Sequence, residues 1–435
     1  MQHARKVVRK LPAPEVFYIS AKIIATEMAN FEWINGDLLM NILARQFGSN
    51  LKRVISYEVN FATKKGDNYA SEMYRVKVQL DIGVPIAKSV ILKVMPSGEI
   101  QQKVMEENSI YSREIVIYGQ ILPKIYKLLR SIGDVSIISP LCLTTSDTPK
   151  PMLVFEDARE QGFQMLDRRI GLDLDHTRLV IVKLAKLHAC SRIVYDENPA
   201  LFELMMEGCI TDDPKKQTYL PYYQRCVRQV LRLVSQWNTD GRWEKIRRKL
   251  ESLHDKIIPY GCDIYRRQHK DSFHVLNHND IWINNMMFSY GEGAGVKDLL
   301  LLDYQLSFYG SPGVDLNFLY GSLQPKVQSA HFPELIQLYH TTLRSILERL
   351  NYRGTIPTLP DIHVEIIRKG FHRVNAVFQM LPISMMEHSE DADMDLLLGD
   401  GEQSEACRRE LFNNPRYVSV LPALLQELDL AGYLD

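Results

Sequence analysis

Cysteine is scarce in this sequence, and no two cysteines form a CxxC pair. The six cysteines are scattered over 435 residues, at Cys142, Cys190, Cys209, Cys226, Cys262 and Cys407. This spacing disfavours both a zinc site and a disulfide framework, because each needs closely spaced or paired cysteines. We therefore expect reduced, buried thiols and a cytoplasmic protein.

Other common signals are missing as well. No run of 18 apolar residues occurs, so no membrane span is expected, and the N-terminal residues lack the apolar core of a signal peptide. The 52 basic and 53 acidic side chains nearly cancel, which gives no overall field to attract nucleic acid. G-x-S-x-G and H-E-x-x-H are absent, so a serine hydrolase or a zinc peptidase has no motif here. Nothing in the sequence fixes an oligomeric state.

The fold class follows from the order of the patterns. Strand patterns rich in Val, Ile and Tyr dominate the first part, after helical spacing over 15–48. The second part is mainly helical, and one of its helices is predicted over 175–193. This order predicts an α+β protein and not the strand–helix alternation of a parallel sheet. The predicted strands of the first part are 54–61, 73–80, 89–95 and a pair within 136–155.

One stretch of the second part carries oxygen-bearing side chains at informative spacings. It contains His278, Asp280 and Asn285 as H-x-D-x-x-x-x-N, and Asp303 follows on an apolar segment. A magnesium-dependent phosphotransferase needs an aspartate that accepts a hydroxyl proton, together with an asparagine and a second aspartate that bind Mg²⁺. Each residue alone is more commonly a turn residue, whereas the combination is specific.

Two short predicted strands, 286–289 and 299–303, bring the motif together. The glycine-rich segment 291–295 between them is predicted to be a hairpin turn and not a phosphate loop, because no helix follows it. A hairpin places Asp303 close to Asn285, although 18 positions separate them in the sequence.

The first part offers candidates for nucleotide binding. The turn at 64–71, which contains Gly66, Asn68 and Ser71, can bring backbone N–H groups and a hydroxyl to phosphates, or it is a plain hairpin turn. Lys93 lies in an apolar strand, where it either faces solvent or points at phosphates. In the second case Glu114 is placed to hold it, with Glu106 and Glu107 as rivals.

Taken in order, these motifs resemble the ecdysteroid kinase-like family of insects, within the protein-kinase-like fold of small-molecule kinases. The resemblance spans roughly residues 50–350. It also includes the segments 153–157 and 184–189, and Pro312-Gly313-Val314-Asp315-Leu316. The family usually has glycine between the histidine and the aspartate of H-x-D, where this sequence has Asn279. Asparagine tolerates a positive φ better than most residues.

The resemblance implies a fold, a reaction and roles for individual residues. It implies two lobes, 1–155 and 156–435, and ATP with Mg²⁺ as cofactors. It implies Asp280 as the catalytic base, Asn285 and Asp303 as metal ligands, and Asp315 as an anchor of the catalytic loop. Lys93, held by Glu114, would contact the phosphates. The 153–157 backbone, which includes Glu156, would form the adenine-binding hinge.

The acceptor is the least determined part. By resemblance the first expectation is an ecdysteroid or a similar lipophilic alcohol, and the alternative is a choline- or ethanolamine-type amine, since aromatic residues can also cage a cation. A nucleotide-binding pseudokinase scaffold is a further alternative, which Asn279 favours. Apolar residues of the second part either line a lipophilic pocket or form its core, namely Tyr219, Tyr222, Tyr223, Trp237, Phe371, Phe378, Met380, Met385 and Met386. His188 and His278 are interpreted as a packed histidine and as a brace for the catalytic loop.

Overall fold

The protein divides into two compact units, described here from a computed structural model. The first unit comprises Met1–Ser97 and Pro140–Gly162, and the second comprises Gly98–Ser139 and Phe163–Asp435. The structure describes residues 7–10, 31–62, 71–95, 103, 106, 109–146, 148–213, 220–267, 272–293, 295–387 and 394–435. Gly66, Asn68 and Tyr219 therefore lie outside the described residues.

A six-stranded antiparallel sheet forms most of the first unit. Its strands lie in the order β1-β2-β3-β4-β6-β5, and the three long strands and the strand pair that the sequence predicts are confirmed. A register shift between Val54 and Ser56 interrupts the β2–β3 ladder, which is the mark of a β-bulge. The strands are β1 (Val7–Lys10), β2 (Arg53–Phe61), β3 (Glu72–Asp81), β4 (Pro85–Val94), β5 (Cys142–Ser146) and β6 (Met152–Glu156).

One face of this sheet packs on helix α1 (Gly36–Phe47), which Asn35 caps by accepting a hydrogen bond from the Leu38 N–H. Alternate residues of the central strands, such as Val76 on β3 and Leu92 on β4, are fully buried in the same core as Leu39. Burying each aliphatic side chain of this kind stabilises the fold by about 1.5–3 kcal/mol. Because strand side chains alternate, Lys93 points to the other face.

The second unit is mainly helical, as the sequence predicts. Two antiparallel strand pairs interrupt its helices, β7 (Val275–Asn277) with β10 (Phe308–Gly310) and β8 (Met286–Tyr290) with β9 (Val296–Leu301), and only the second is a hairpin. The described helices are α2 (Ile110–Val116), α3 (Leu122–Ser131), α4 (Leu174–Glu197), α5 (Leu220–Trp237), α6 (Glu244–Tyr265), α7 (Gly313–Phe318), α8 (Pro325–Arg349), α9 (Leu359–Arg368), α10 (Phe371–Asn375), α11 (Leu381–Ser384), α12 (Met394–Leu398), α13 (Glu402–Phe412) and α14 (Pro415–Leu430). Across the described ranges, no helix is both long and apolar enough to cross a membrane.

The segment that carries α2 and α3 differs from the expectation, because it groups with the second unit and not with the sheet. The Arg113 guanidinium donates a hydrogen bond to the Ser307 carbonyl at 3.2 Å. The Tyr118 ring stands edge-on to the Tyr304 ring at 5.4 Å. Glu114 lies on α2, so it belongs to the second unit and not to the N-terminal lobe 1–155 expected from the sequence.

Helices α7 and α9 approach each other at a glycine. A Cβ atom on Gly313 would lie 2.3 Å from the backbone oxygen of Glu365, and the Asn317 amide donates to the Ile366 carbonyl at 2.9 Å. The small residue thus permits backbone contact between the two helices. This contact fixes the start of α7, the helix that carries Asp315.

Gly313→Ala should therefore destabilise the protein by about 1–3 kcal/mol, because backbone atoms must move to admit the methyl group. The free energy of unfolding from urea denaturation measures this effect. Gly119→Ala is the matched control, since Gly119 lies in the helical turn Ile117–Ile121 with no atom within 4 Å of an added Cβ. Equal loss of stability in the two variants would contradict the proposed close contact.

Candidate active site

The loop after β7 brings Asp280 and Asn285 into contact. A 3₁₀ turn, Ile283–Asn285, ends the loop and leads directly into β8. The Asn285 amide nitrogen donates to the Asp280 carboxylate at 2.8 Å and to the Asp280 backbone carbonyl at 2.9 Å. Both side chains are largely buried. Asp280 and Asn285 thus lie five positions apart because they stand at the two ends of one loop, which the Asn285 amide closes.

Asp303 lies next to this loop through the β8–β9 hairpin. Met286 pairs with Leu301, and the Leu302 N–H donates to the Asn285 carbonyl at 2.9 Å. The predicted hairpin and the predicted nearness of Asp303 to Asn285 are confirmed. The strand itself ends at Leu301 and not at Asp303 as expected, because Asp303 adopts φ 67°, which a strand cannot continue.

These residues form a hard-oxygen donor set. The hydrogen bonds of Asn285 use its amide nitrogen, so its side-chain oxygen is the atom that a cation would meet. Together with the Asp303 carboxylate it suits Mg²⁺, which keeps several water ligands and needs only one or two protein oxygens. Within the described residues, no group of three or more His, Cys, Asp or Glu side chains is placed to share a metal. The fit therefore rests on this pair.

The backbone of the loop is held by Asp315 from helix α7. Its two carboxylate oxygens accept hydrogen bonds from the His278 N–H and the Asn279 N–H, each at 2.7 Å. The Asp315 N–H donates in turn to the Asn277 side-chain oxygen at 3.2 Å. Asp315 is fully buried, so these bonds replace the water that its charge has lost. Asp315 thus anchors the loop through hydrogen bonds, as the family resemblance implies.

His188 is more than a packed histidine, although it is fully buried as expected. Its Nε2 lies 3.1 Å from the Asp315 carboxylate and its Nδ1 lies 2.8 Å from the Tyr339 hydroxyl. A carboxylate only accepts, so Nε2 donates to Asp315, and Nδ1 shares a hydrogen bond with the Tyr339 hydroxyl. Burial, reinforced by the Asp315 charge, raises the pKa of Tyr339 well above its ordinary value, which keeps the hydroxyl protonated. Helices α4 and α8 thereby support the loop.

His278 braces the loop, as predicted. Its Nε2 donates to the Leu302 carbonyl at 2.8 Å, beside Asp303. Its ring lies 4.7 Å from the Tyr304 ring, and the Tyr304 hydroxyl is bonded to the Ser139 hydroxyl at 2.7 Å. Burial raises the pKa of Tyr304 well above its ordinary value. The His278 imidazole therefore connects the loop that contains Asp280 with the segment that contains Asp303.

The candidate nucleotide-binding residues of the first unit are buried. Lys93 is 4% exposed and Ser71 is 8% exposed, so Lys93 is not the solvent-facing lysine of a half-buried strand. Lys93 stands opposite Met73 on β3 and Leu153 on β6. Glu114 is also buried but belongs to the second unit, and its pairing with Lys93 stays a prediction. So do the nucleotide roles of Lys93 and Ser71.

The predicted hinge has an unexpected brace. Asp157 accepts hydrogen bonds from Arg75 at 2.6 Å and from Ser89 at 2.8 Å. Burial alone would raise the pKa of Asp157, but these donors hold it below its ordinary value. Glu156 accepts hydrogen bonds from Gln46 and Gln161, and its N–H donates to the Leu141 carbonyl. Its role in binding adenine stays a prediction. No local pattern marks Arg75, 82 positions away, as a partner.

Comparison with known proteins gives one extensive match. The sequence model of the ecdysteroid kinase-like family matches residues 65–352, which is about two thirds of the chain. No curated protein matches the chain.

Several solved structures are similar to it at low identity. A spectinomycin phosphotransferase in complex with ADP and spectinomycin is 14% identical, with a TM-score of 0.41, over 90% of this chain and 99% of that one. A macrolide 2′-phosphotransferase from Brachybacterium faecium is 12% identical, with a TM-score of 0.38, over 87% and 99%. An ethanolamine kinase from Plasmodium vivax is 11% identical, with a TM-score of 0.37, over 83% of each chain.

Asp315→Asn should destabilise the protein by about 3 kcal/mol, because one amide oxygen cannot serve two backbone donors and the His188 imidazole at once. Tyr339→Phe removes one hydroxyl from the edge of the same network and should cost only about 1 kcal/mol. Urea denaturation of both variants measures the difference. Equal effects would show that the carboxylate does not hold the loop.

Proposed function

The chain belongs to the ecdysteroid kinase-like family and is a small-molecule kinase, and we propose that it transfers the γ-phosphoryl group of ATP to a hydroxyl group with the help of Mg²⁺. The observation that carries this proposal is the bonded pair Asp280–Asn285, with Asp303 beside it, on a loop fixed by Asp315. Phosphoryl transfer requires little beyond positioning and charge stabilisation.

The side chains divide the work. Asp280 accepts the proton of the attacking hydroxyl, because a carboxylate is an acceptor and this one is kept in orientation by Asn285. Asn285 and Asp303 would hold Mg²⁺, which when bound neutralises charge on the phosphate oxygens. In the first unit, Lys93 would contact the phosphates together with the turn predicted from the sequence at 64–71, and the hinge segment around Glu156 would bind the adenine. These roles follow the family resemblance.

The conformation of Asn279 does not favour a pseudokinase. It adopts φ 62°, the left-handed conformation that a glycine would provide, and its N–H reaches Asp315. Asparagine tolerates this region better than most residues. The loop thus keeps its course around Asp280 without the glycine.

For the acceptor we propose an ecdysteroid or a similar lipophilic alcohol, with a choline- or ethanolamine-type amine as the alternative. The family resemblance supports this choice, together with apolar residues of the helical unit that keep part of their surface exposed. Trp237, Phe371, Met380 and Met385 are only partly buried, whereas Tyr222, Tyr223, Phe378 and Met386 belong to the core. We also propose a cytoplasmic location, where ATP is available and the six cysteines, none of which forms a disulfide, remain reduced.

Incubation of the protein with ATP, Mg²⁺ and a panel of ecdysteroids, other lipophilic alcohols, choline and ethanolamine tests the reaction, with phosphorylated acceptor detected by mass spectrometry. We expect product from a lipophilic alcohol. Asp280→Asn should lower the rate about 10²–10⁴-fold, as loss of a general base does. Product from the amines alone would favour the alternative, and ATP binding without any transfer would contradict the catalytic proposal.

Asp303→Asn should abolish Mg²⁺-dependent turnover while leaving the fold intact, because an amide carries no charge for the cation. Turnover is measured as ADP release across a Mg²⁺ titration, and folding by thermal denaturation. Asp298→Asn is the control: Asp298 lies on the same hairpin but pairs with Lys183 at 2.8 Å. An unchanged rate in Asp303→Asn would exclude the metal role.

A further inference from the structure

Residue 279 has a side chain where the family usually has none. Its backbone needs are met by φ 62° and by the N–H bond to Asp315, and a glycine could satisfy both. The amide group of Asn279 is therefore not required for the course of the loop. It is nevertheless only 3% exposed, so its polar atoms must be bonded within the protein.

The amide joins the loop to the segment that follows Asp303. Its nitrogen donates to the Leu306 carbonyl at 2.8 Å, and its oxygen accepts from the Tyr265 hydroxyl at 3.3 Å. Leu306 stands three residues after Asp303, and Asn279 directly precedes Asp280. The opposite amide orientation would set two acceptor oxygens against each other, so the bonding itself fixes the assignment. The Asn279 side chain thus connects the residue before the predicted base, Asp280, with the segment that follows the predicted metal ligand, Asp303.

Tyr265, the last residue of α6, is built into its place. Its ring stands edge-on to Phe308 at 5.0 Å, and a Cβ atom on residue Gly208 would lie 2.0 Å from that ring. Its hydroxyl also lies 3.1 Å from the Cys209 sulfur. Burial, with Cys209 adding to it, raises the pKa of Tyr265 well above its ordinary value, so the hydroxyl keeps its proton and can donate to Asn279.

We propose that Asn279, oriented by Tyr265, is a positioning residue that sets the distance between Asp280 and the Asp303 segment. This inference rests on the proposed function of the same site. The glycine of the family motif offers no such link. The substitution therefore adds a side-chain tie between two parts of the site, and the tie is expected to act on the rate of transfer more than on nucleotide binding.

Two variants break the tie at different points. Asn279→Gly keeps access to the positive φ and removes the two side-chain hydrogen bonds, to Leu306 and from Tyr265. Tyr265→Phe keeps the ring and the loop sequence and removes one hydroxyl. We expect Asn279→Gly to lower kcat about ten- to a hundredfold, and Tyr265→Phe by a smaller factor, with the KM for ATP changed less than about twofold.

Tyr309→Phe is the matched control, because Tyr309 is equally buried and its hydroxyl has no hydrogen-bond partner among the described residues. It should keep the wild-type kcat. Wild-type kcat in Asn279→Gly, or a Tyr265→Phe enzyme that behaves like Tyr309→Phe, would overturn the proposal.

Hydrogen exchange of the backbone amides in 276–286 provides a readout that does not need turnover. Exchange should accelerate in Tyr265→Phe and stay at the wild-type rate in Tyr309→Phe, and unchanged exchange in Tyr265→Phe would overturn the positioning role. If the wild-type protein transfers no phosphate to any acceptor while Tyr265→Phe still loosens the loop, the proposed function fails and the positioning role stands.

Discussion

The buried carboxylate of Asp315 is the constraint on which the candidate site depends. A fully buried charge is costly unless several donors surround it, and here the His278 N–H, the Asn279 N–H and the His188 imidazole do so. Two of these donors belong to the loop after β7, and the third belongs to helix α4. Because the buried Asp315 carboxylate needs these hydrogen bonds, the loop is held in one conformation. The position of Asp280 follows from that conformation.

The same site uses backbone conformations that most side chains avoid. Asn279 and Asp303 both have positive φ, and they stand next to the predicted base and at the predicted metal ligand. Asparagine and aspartate tolerate this region better than other residues with a side chain. Such conformations persist where surrounding contacts over-determine them, which Asp315, Leu306 and the β8–β9 hairpin do here. The positive φ at these two positions therefore restricts which residue types can occupy them, in addition to the chemistry that the site requires.

Local patterns in the sequence were enough to predict the β8–β9 hairpin, the sheet strands β2 to β6 and the nearness of Asp303 to Asn285, but not the first strand, β1. They were not enough for His188, whose partners Asp315 and Tyr339 lie 127 and 151 positions away. Nor did they show that the segment carrying Glu114 groups with the second unit, since that depends on Arg113 and Tyr118 meeting Ser307 and Tyr304. Periodicity reports which face of a helix is buried, but it does not report what the face is buried against.

Catalysis and acceptor choice are subject to different constraints in this chain. As the proposed base, Asp280 would accept a proton from any hydroxyl, so the loop that fixes it carries no information about the acceptor. Discrimination between a lipophilic alcohol and an amine must come from the shape and polarity of the surface that holds the rest of the molecule. In the helical unit, apolar residues such as Trp237 and Phe371 are only partly buried, so part of their surface stays exposed. Under the proposed function, the acceptor would therefore be selected by residues other than those that hold the Asp280 loop.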